Sequence, residues 1–128
     1  MKILGIGVDI IENLRIKKSI LNKKFVKRIF TIDEINISKK TNNKISFFSK
    51  RFAAKEAFSK ALGIGFRNSL NFKDISIIND NYGKPSIKLN NKLKKLIKKK
   101  FKTQKINIQL SISDENKHSI AFVILEKK

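Results

Sequence analysis

The sequence predicts an α+β domain with antiparallel strands and one long central helix. Three observations point to this class: an alternating segment at the start of the chain, a long, largely apolar helical segment in the middle, and two alternating segments at the end. A chain of 128 residues has the length of one domain and can bury roughly two-thirds of the surface that its unfolded form exposes. Residues 1–128 show no linker or internal repeat, so we expect a single domain.

The first strand is predicted over residues 2–10. Its two sides alternate, with Ile3, Gly5, Gly7 and Asp9 on one and Leu4, Ile6, Val8 and Ile10 on the other. This period of two is typical of a strand with one face firmly buried.

Three short helices are predicted next. The first has Leu14 and Leu21 among its apolar positions. Thr31 and Glu34 form a capping-box pattern, in which a hydroxyl lies at the N-cap and a glutamate at the third helical position. The predicted bounds are residues 12–22, residues 25–30 and a third helix that starts after Thr31 and is ended by the polar residues 39–44.

The central helix is predicted over residues 45–62. One of its faces carries Phe47, Ala54, Phe58 and Ala61, and roughly the opposite side carries Ser49, Glu56 and Lys60. Alanines at positions 53 and 57 flank the charged side and leave room for a close approach to the helix backbone. Gly63 and Gly65 supply the stop that a helix end prefers.

The last half of the chain is rich in predicted strands. The lysine-rich helix within it has Leu93, Leu96, Ile97 and Phe101 on its apolar side. The predicted elements are strands at 72–78 and 86–89 around a turn at 79–85, a helix at 90–101, and antiparallel strands at 106–113 and 119–126.

Composition excludes several kinds of site. Without cysteine there is no disulfide, cysteine zinc site or thiol nucleophile, and with one histidine there is no histidine-rich metal site. The apolar start of the chain is interrupted by Asp9 and is too short to span a bilayer, so we expect a cytoplasmic protein without a membrane span.

The net charge of +20 suits binding to nucleic acid, to an anionic membrane or to an acidic protein. Lysine enriched together with asparagine and isoleucine is also what an A/T-rich coding sequence produces.

Three charged residues are candidates for a site. A carboxylate in a buried strand needs a partner, so Asp9 has either a structural hydrogen bond or a functional ligand. Glu56 and Lys60, four residues apart, form either an ordinary helix-stabilising pair or part of the same site. If Asp9 and Glu56 converge, two carboxylates without imidazole or thiolate suit a hard cation such as magnesium, and Lys60 would lie near the phosphates that the cation holds.

Three motifs carry a resemblance to a known family. They are GIGVDI at 5–10 with Glu12 and Arg15, RFAAKEAFSKA at 51–61, and Gly83-Lys84-Pro85. In order, spacing and total length the chain resembles the bacterial holo-[acyl-carrier-protein] synthases, the small group of the 4'-phosphopantetheinyl transferase superfamily. The resemblance covers the chain from the first strand to the last and implies the fold of that superfamily, an antiparallel sheet packed against a long central helix.

The resemblance implies a transferase of fatty acid and lipid biosynthesis. Coenzyme A would donate its 4'-phosphopantetheine group to a serine of apo acyl carrier protein, and adenosine 3',5'-bisphosphate would be released. Asp9 and Glu56 match the family's ligands of Mg²⁺, for which Mn²⁺ can substitute, and the resemblance implies that these two acids and Lys60 are the catalytic residues. The residues that match the coenzyme A site are Arg51, Lys55, Lys60, Gly63, Gly65, Gly83, Lys84 and Pro85.

The resemblance also implies partners. Arg15, Lys24, Phe25 and Arg28 match the positions that dock the acidic carrier protein. Members of this size are usually homotrimers whose sites lie between subunits. The serine proton would pass to a metal-bound water or to a carboxylate such as Glu56, and the sequence does not choose between them.

The chain departs from the family's usual motif at one position, and two other classes of protein compete with the transferase. Asp114 follows Ser111-Ile112-Ser113 where many relatives have histidine, and the nearby His118 is expected to be a surface or strand-start residue. The main alternative is a small basic nucleic-acid-binding module, such as a ribosome-associated protein. Against it, Asp9 and Glu56 would not help to bind a phosphate backbone. A homologue that keeps the fold and only binds a partner is the third possibility.

Overall fold

Two antiparallel sheets and five α-helices make up the part of the chain that the computed structural model describes, residues 2–66 and 70–128. A short 3₁₀ turn, Phe72–Asp74, precedes the second strand. The elements are β1 (Lys2–Glu12), α1 (Asn13–Ser19), α2 (Lys23–Ile29), α3 (Ile32–Ser38), α4 (Lys44–Leu62), β2 (Ile75–Asn79), β3 (Pro85–Leu89), α5 (Asn91–Phe101), β4 (Ile106–Asp114) and β5 (His118–Lys127).

The larger sheet has the strand order β1-β5-β4, with both pairs antiparallel. In this register Asp9 lies opposite Ala121, and Val8 lies opposite Phe122. Strands β2 and β3 form a separate hairpin, in which Ile77 lies opposite Ile87. Helix α4 packs against β1 and β5, so the predicted α+β class, with an antiparallel sheet against a long central helix, is confirmed.

The buried face of β1 is the side that carries the glycines. Gly7 and Ile11 are buried, whereas Ile6, Val8 and Ile10 are 49–63% exposed. The sequence predicted one firmly buried face, and the structure shows that this is not the face with the large apolar side chains. The glycine face is selected instead because only a surface without side chains lets the strand lie directly on the helix backbone.

Helix α4 is buried around most of its circumference. Asn43 caps its start by accepting the N–H of Ser46, and Gly63 ends it in the left-handed conformation with φ 72°. Phe47, Ala54 and Phe58 all lie in the core, on the face that the sequence predicted. Ser49 is also buried, although the pattern placed it on the opposite side. A helix enclosed on nearly all sides is expected where a small domain packs all its elements around it.

The three short helices follow the prediction with two differences. Helix α1 starts at Asn13 because Glu12 still pairs with His118 in the sheet. Ile16 is the buried apolar residue of α1, whereas Leu14 and Leu21 are exposed. The capping box is confirmed in both halves, since Thr31 Oγ1 accepts the N–H of Glu34 and the Glu34 carboxylate accepts the N–H of Thr31.

The region around residue 72 departs from the prediction of a strand. The Asp74 carboxylate accepts the N–H of Asn71 at 3.0 Å, which closes a turn over Phe72–Asp74, and strand β2 begins only at Ile75. The β2–β3 hairpin, helix α5 and the pair of C-terminal strands are confirmed. Across the described residues, 2–66 and 70–128, no helix is both long and apolar enough to cross a membrane.

Candidate active site

Close contact between β1 and α4 brings the candidate residues together. A Cβ atom added to Gly7 would lie 1.9 Å from the carbonyl oxygen of Ala57, and one added to Gly5 would lie 2.0 Å from that of Ala61. No side chain fits at such distances, so the two glycines and the two alanines allow the backbones to touch. From Gly5 to Gly7 the strand passes from Ala61 to Ala57, so Asp9 continues toward the middle of α4, where the Lys60 side chain reaches it.

Asp9 and Lys60 form the central contact of the site. The Lys60 ammonium lies 3.3 Å from Asp9 Oδ1 and donates a hydrogen bond to the Val8 carbonyl at 3.0 Å. The Asp9 side chain is 16% exposed, and that of Lys60 is 55% exposed. The buried strand carboxylate therefore has a charged partner on the solvent side.

Glu56 lies close enough to Asp9 for the two acids to influence each other. Burial raises the pKa of Glu56, and the charge of Asp9 raises it further, while Lys60 and Arg15 oppose both effects. Burial also raises the pKa of Asp9, and Lys60 and Arg15 again act in the opposite direction. Two half-buried carboxylates with raised pKa values and nearby cations are an arrangement typical of functional sites.

The donor set of this pair fits a hard divalent cation. Both side chains offer carboxylate oxygens, and the Lys60 ammonium already lies where positive charge is favoured. No group of three or more His, Asp or Glu side chains that could hold a metal occurs in residues 2–66 and 70–128. Two carboxylates are a sufficient protein contribution for Mg²⁺ beside phosphates, because Mg²⁺ usually keeps several waters and takes substrate oxygens as ligands.

Arg51 lies inside the protein and approaches the predicted coenzyme turn from within. Its guanidinium stacks 3.5 Å from the ring centroid of Phe47 and donates to Asn79 Oδ1 at 2.8 Å. The Asn79 amide donates in turn to the Gly83 carbonyl at 2.9 Å. Burial lowers the pKa of Arg51, and Glu34 opposes that effect. Arg51 therefore supports the shape of the turn; with the residue 7% exposed, little of it is left for an outer phosphate.

The geometry argues against the predicted contact of Lys55 with coenzyme A. Lys55 is fully buried, and its ammonium donates to the Glu34 carboxylate at 2.6 Å and to the carbonyls of Ile29 and Phe72. All three donor positions are used within the protein. The sequence predicted only a capping role for Glu34. Its ion pair with Lys55 could not be predicted from a local pattern, because the two residues lie 21 positions apart in the chain.

The predicted coenzyme residues on the two turns differ in their surroundings. Gly83 has φ 84°, so it requires glycine, and Lys84 is exposed just before Pro85 starts β3. Gly63 also has positive φ and lies near the Lys100 side chain. A Cβ added to Gly65 would meet nothing within 4 Å. The hairpin turn thus presents the exposed Lys84 beside a glycine-dependent backbone, whereas Gly63 mainly ends the helix.

The predicted docking residues cluster on α1 and α2. Phe25 stacks on Phe52, with ring centroids 6.3 Å apart, and the Arg15 guanidinium lies 5.9 Å from the centroid of the same Phe52 ring. Lys24 and Arg28, both exposed, lie four residues apart on α2. An apolar centre with cations around it is suited to an acidic partner.

Asp114 and His118 flank the turn that joins β4 to β5, where β1 also ends. Asp114 Oδ2 accepts a hydrogen bond from Ser46 Oγ at 2.8 Å, and this bond joins the end of β4 to the first turn of α4. The His118 ring lies 2.9 Å from Glu115 Oε1 at the start of β5. The carboxylate of Asp114 is thus engaged by the protein itself.

Comparison with known proteins identifies the class. A model of the 4'-phosphopantetheinyl transferase superfamily matches residues 5–123. The chain therefore belongs to the 4'-phosphopantetheinyl transferase superfamily. The holo-[acyl-carrier-protein] synthase of Pelagibacter ubique (strain HTCC1062) is 63% identical over 128 residues, which is 100% of both chains. That of Zymomonas mobilis is 46% identical and covers 97% of this chain and 96% of the relative. Within the superfamily the chain is a member of the holo-[acyl-carrier-protein] synthase group.

Solved structures show the same fold. The holo-[acyl-carrier-protein] synthase of Neisseria meningitidis aligns with a TM-score of 0.85 and 40% identity over 98% of this chain and 99% of that one. The enzyme of Bacillus anthracis, solved in complex with CoA (3',5'-ADP), aligns with a TM-score of 0.83 and 37% identity over 100% of both chains. These relatives favour the transferase over the nucleic-acid-binding alternative.

Proposed function

We propose that the chain, as one domain, transfers the 4'-phosphopantetheine group of coenzyme A to a serine hydroxyl of apo acyl carrier protein. The observation that carries the proposal is the convergence of Asp9, Glu56 and Lys60 at the contact of β1 with α4. Relatives that match this chain over its full length are holo-[acyl-carrier-protein] synthases, and one structural relative was solved with CoA (3',5'-ADP). The site therefore has the residues that phosphoryl transfer from a pyrophosphate needs.

The reaction forms one phosphorus–oxygen bond and breaks another. The serine oxygen bonds to the phosphorus that carries the pantetheine arm, and the bond from that phosphorus to the bridging oxygen breaks. Adenosine 3',5'-bisphosphate leaves with the electron pair. The serine proton leaves to a base, and the candidate carboxylate is Glu56, whose pKa is raised by burial and by the charge of Asp9.

Asp9 and Glu56 are the residues that would hold a divalent cation, which we propose to be Mg²⁺, with Mn²⁺ as a substitute. When bound, the cation supplies charge neutralisation at the phosphate oxygens. Lys60 is long, half-exposed and one turn beyond Glu56, so its ammonium reaches the same space and can stabilise the departing phosphate.

The two substrates are proposed to bind on different sides of this site. Coenzyme A would contact the turn of Gly83, Lys84 and Pro85, which Arg51 supports from inside through Asn79. The acidic carrier protein would dock on Arg15, Lys24, Phe25 and Arg28. Opposite charges would raise the association rate and make it sensitive to salt.

An apolar sheet face supports the proposal of a homotrimer. Ile6, Val8 and Ile10 on β1 lie opposite Ile124, Phe122 and Ile120 on β5, and most of these side chains are exposed. Contiguous apolar side chains on a sheet face are typical of an interface with another chain. A second and third copy of this chain are the occupants we propose, with active sites between subunits. A cytoplasmic location and a role in fatty acid biosynthesis belong to the same proposal.

A mass-spectrometric assay tests the proposed function. Apo acyl carrier protein, coenzyme A and Mg²⁺ are incubated with the purified protein, and we expect the carrier mass to increase by one phosphopantetheine group. Glu56→Gln should abolish the increase, whereas Asp33→Asn, which removes an exposed acid on α3, should leave it unchanged. No modification by the wild-type protein would refute the transferase, and full modification by Glu56→Gln would refute the metal assignment.

A further inference from the structure

Among residues 2–66 and 70–128, the Lys60 ammonium is the cation that pairs with the Asp9 carboxylate. It lies 3.3 Å from Asp9 Oδ1, and a hydrogen bond to the Val8 carbonyl at 3.0 Å holds it there. Both partners belong to β1, while Lys60 belongs to the last turn of α4. The strand therefore offers two oxygen acceptors to one cation, as a metal site does.

We propose that Lys60 is the built-in counter-ion of Asp9 and that a divalent cation must displace it from that carboxylate in order to bind. The proposal rests on the proposed function for the identity of the metal ligands. It adds a second role for Lys60, separate from its contact with phosphates: before the cation arrives, Lys60 compensates the charge of the acids.

Mutual repulsion is the physical basis of the displacement. An ammonium in contact with Asp9 and a divalent cation on the same carboxylate would lie within a few ångströms of each other, where like charges repel strongly in a half-buried site. The side chain of Lys60 is 55% exposed, so it can leave without breaking core contacts. Arg15, the other cation that acts on both acids, lies on α1 and is exposed.

The released ammonium has a destination when coenzyme A is bound. Lys60 projects from the same turn of α4 that faces the candidate phosphate site. Pyrophosphate oxygens would therefore attract Lys60 away from Asp9 while the cation takes its place. On this basis the lysine links the entry of the cation to the arrival of the coenzyme.

The test measures Mn²⁺ binding to the full chain without coenzyme A and without carrier protein. Free Mn²⁺ is counted by electron paramagnetic resonance during a titration of chelator-treated protein. Lys60→Met removes the competing charge and is expected to tighten Mn²⁺ binding by about three- to tenfold. Lys60→Arg keeps a cation and should bind Mn²⁺ as the wild type does. Lys95→Met, which removes an exposed lysine from α5, is the control for net charge and should also match the wild type.

A second measurement uses thermal unfolding of the same proteins. Lys60→Met should melt at a lower temperature than the wild type in chelator, because Asp9 loses its counter-ion, and saturating Mn²⁺ should raise its melting temperature by more than it raises that of the wild type. Equal or weaker Mn²⁺ binding by Lys60→Met overturns the proposal, and so does the absence of binding by every variant. Neither result depends on the transfer assay, so a failure here is distinguishable from a failure of the proposed function.

Discussion

The ammonium of Lys55 lies 2.6 Å from Glu34 Oε1, and both side chains are completely buried. Lys55 also donates to the carbonyls of Ile29 and Phe72, and Glu34 accepts the backbone N–H of Ile77. Burial lowers the pKa of Lys55, and Glu34 opposes that effect. One ion pair therefore joins the end of α2, the start of α3, the centre of α4 and the β2–β3 hairpin, next to the site residue Glu56.

Removing one partner of this pair should destabilise the protein strongly. Glu34→Gln leaves a buried ammonium without a counter-charge and is expected to lower the free energy of unfolding by about 3–5 kcal/mol, measured by urea denaturation. Asp33→Asn, next to it but exposed, should cost no more than about 1 kcal/mol. The double replacement Glu34→Leu with Lys55→Met should cost less than Glu34→Gln alone. A small cost for Glu34→Gln would contradict the buried pair.

The contact of Gly7 with α4 should not tolerate a methyl group. Gly7→Ala would place a Cβ 1.9 Å from the Ala57 carbonyl, so strand and helix would have to separate. We expect a loss of stability above the roughly 1–3 kcal/mol of ordinary overpacking, together with a loss of transferase activity, because Asp9 moves with the strand. Gly65→Ala is the matched control for stability, since a Cβ there meets nothing within 4 Å. Equal melting temperatures for the two variants would contradict the close contact.

Arg51 should act on coenzyme binding through the hairpin turn. Arg51→Lys keeps the charge but cannot both stack on Phe47 and hold Asn79 in the same way. We expect the KM for coenzyme A to rise roughly tenfold, the effect of about one lost hydrogen bond to a charged group, with little change in the KM for the carrier protein. Asn79→Ala should reproduce the effect, because Asn79 connects Arg51 to Gly83. A rise in the KM for the carrier alone would contradict this role.

Asp74 should make stability depend on pH in the acidic range. Burial by itself would raise the pKa of Asp74, but hydrogen bonds from the Asn71 N–H, the Asn90 amide and the Lys92 ammonium together hold it below its ordinary value. A lowered pKa means that the ionised carboxylate stabilises the fold above the unfolded pKa of about 3.9, and that this contribution is lost as pH falls through the folded value. Asp74→Asn should therefore be less stable than the wild type at pH 7, and the difference in urea denaturation should shrink below about pH 4. A constant difference would contradict the assignment.

The apolar face of the large sheet should control the oligomeric state. Phe122→Lys places a charge among Val8, Ile10 and Ile120 and is expected to convert a trimer into monomers, as measured by light scattering after gel filtration. Leu21→Lys changes an even more exposed apolar side chain outside that face and should leave the mass unchanged. A monomeric wild type, or a trimer of Phe122→Lys, would contradict the interface.

Local patterns were enough for most of the fold. The capping box at Thr31 and Glu34, the stop at Gly63 and the alternation in β4 and β5 depend on residues a few positions apart, so each is readable along the chain. The prediction of a strand at Phe72–Asp74 was wrong. The alternating pattern there is typical of a strand, but the Asp74 carboxylate accepts the N–H of Asn71 and closes a turn instead.

The sequence by itself determined the order and type of the elements apart from the turn at Phe72–Asp74, and its motifs marked Asp9, Glu56 and Lys60 as one candidate site. Only the tertiary structure decided which charged side chains are exposed enough to contact a ligand. Lys55 and Arg51 lie in the same motif as Glu56, yet their cationic groups are engaged by Glu34 and Asn79, whereas Lys60 remains half-exposed. The physical reason is that burial and pairing depend on the elements that pack around a residue, and those partners come from distant parts of the chain.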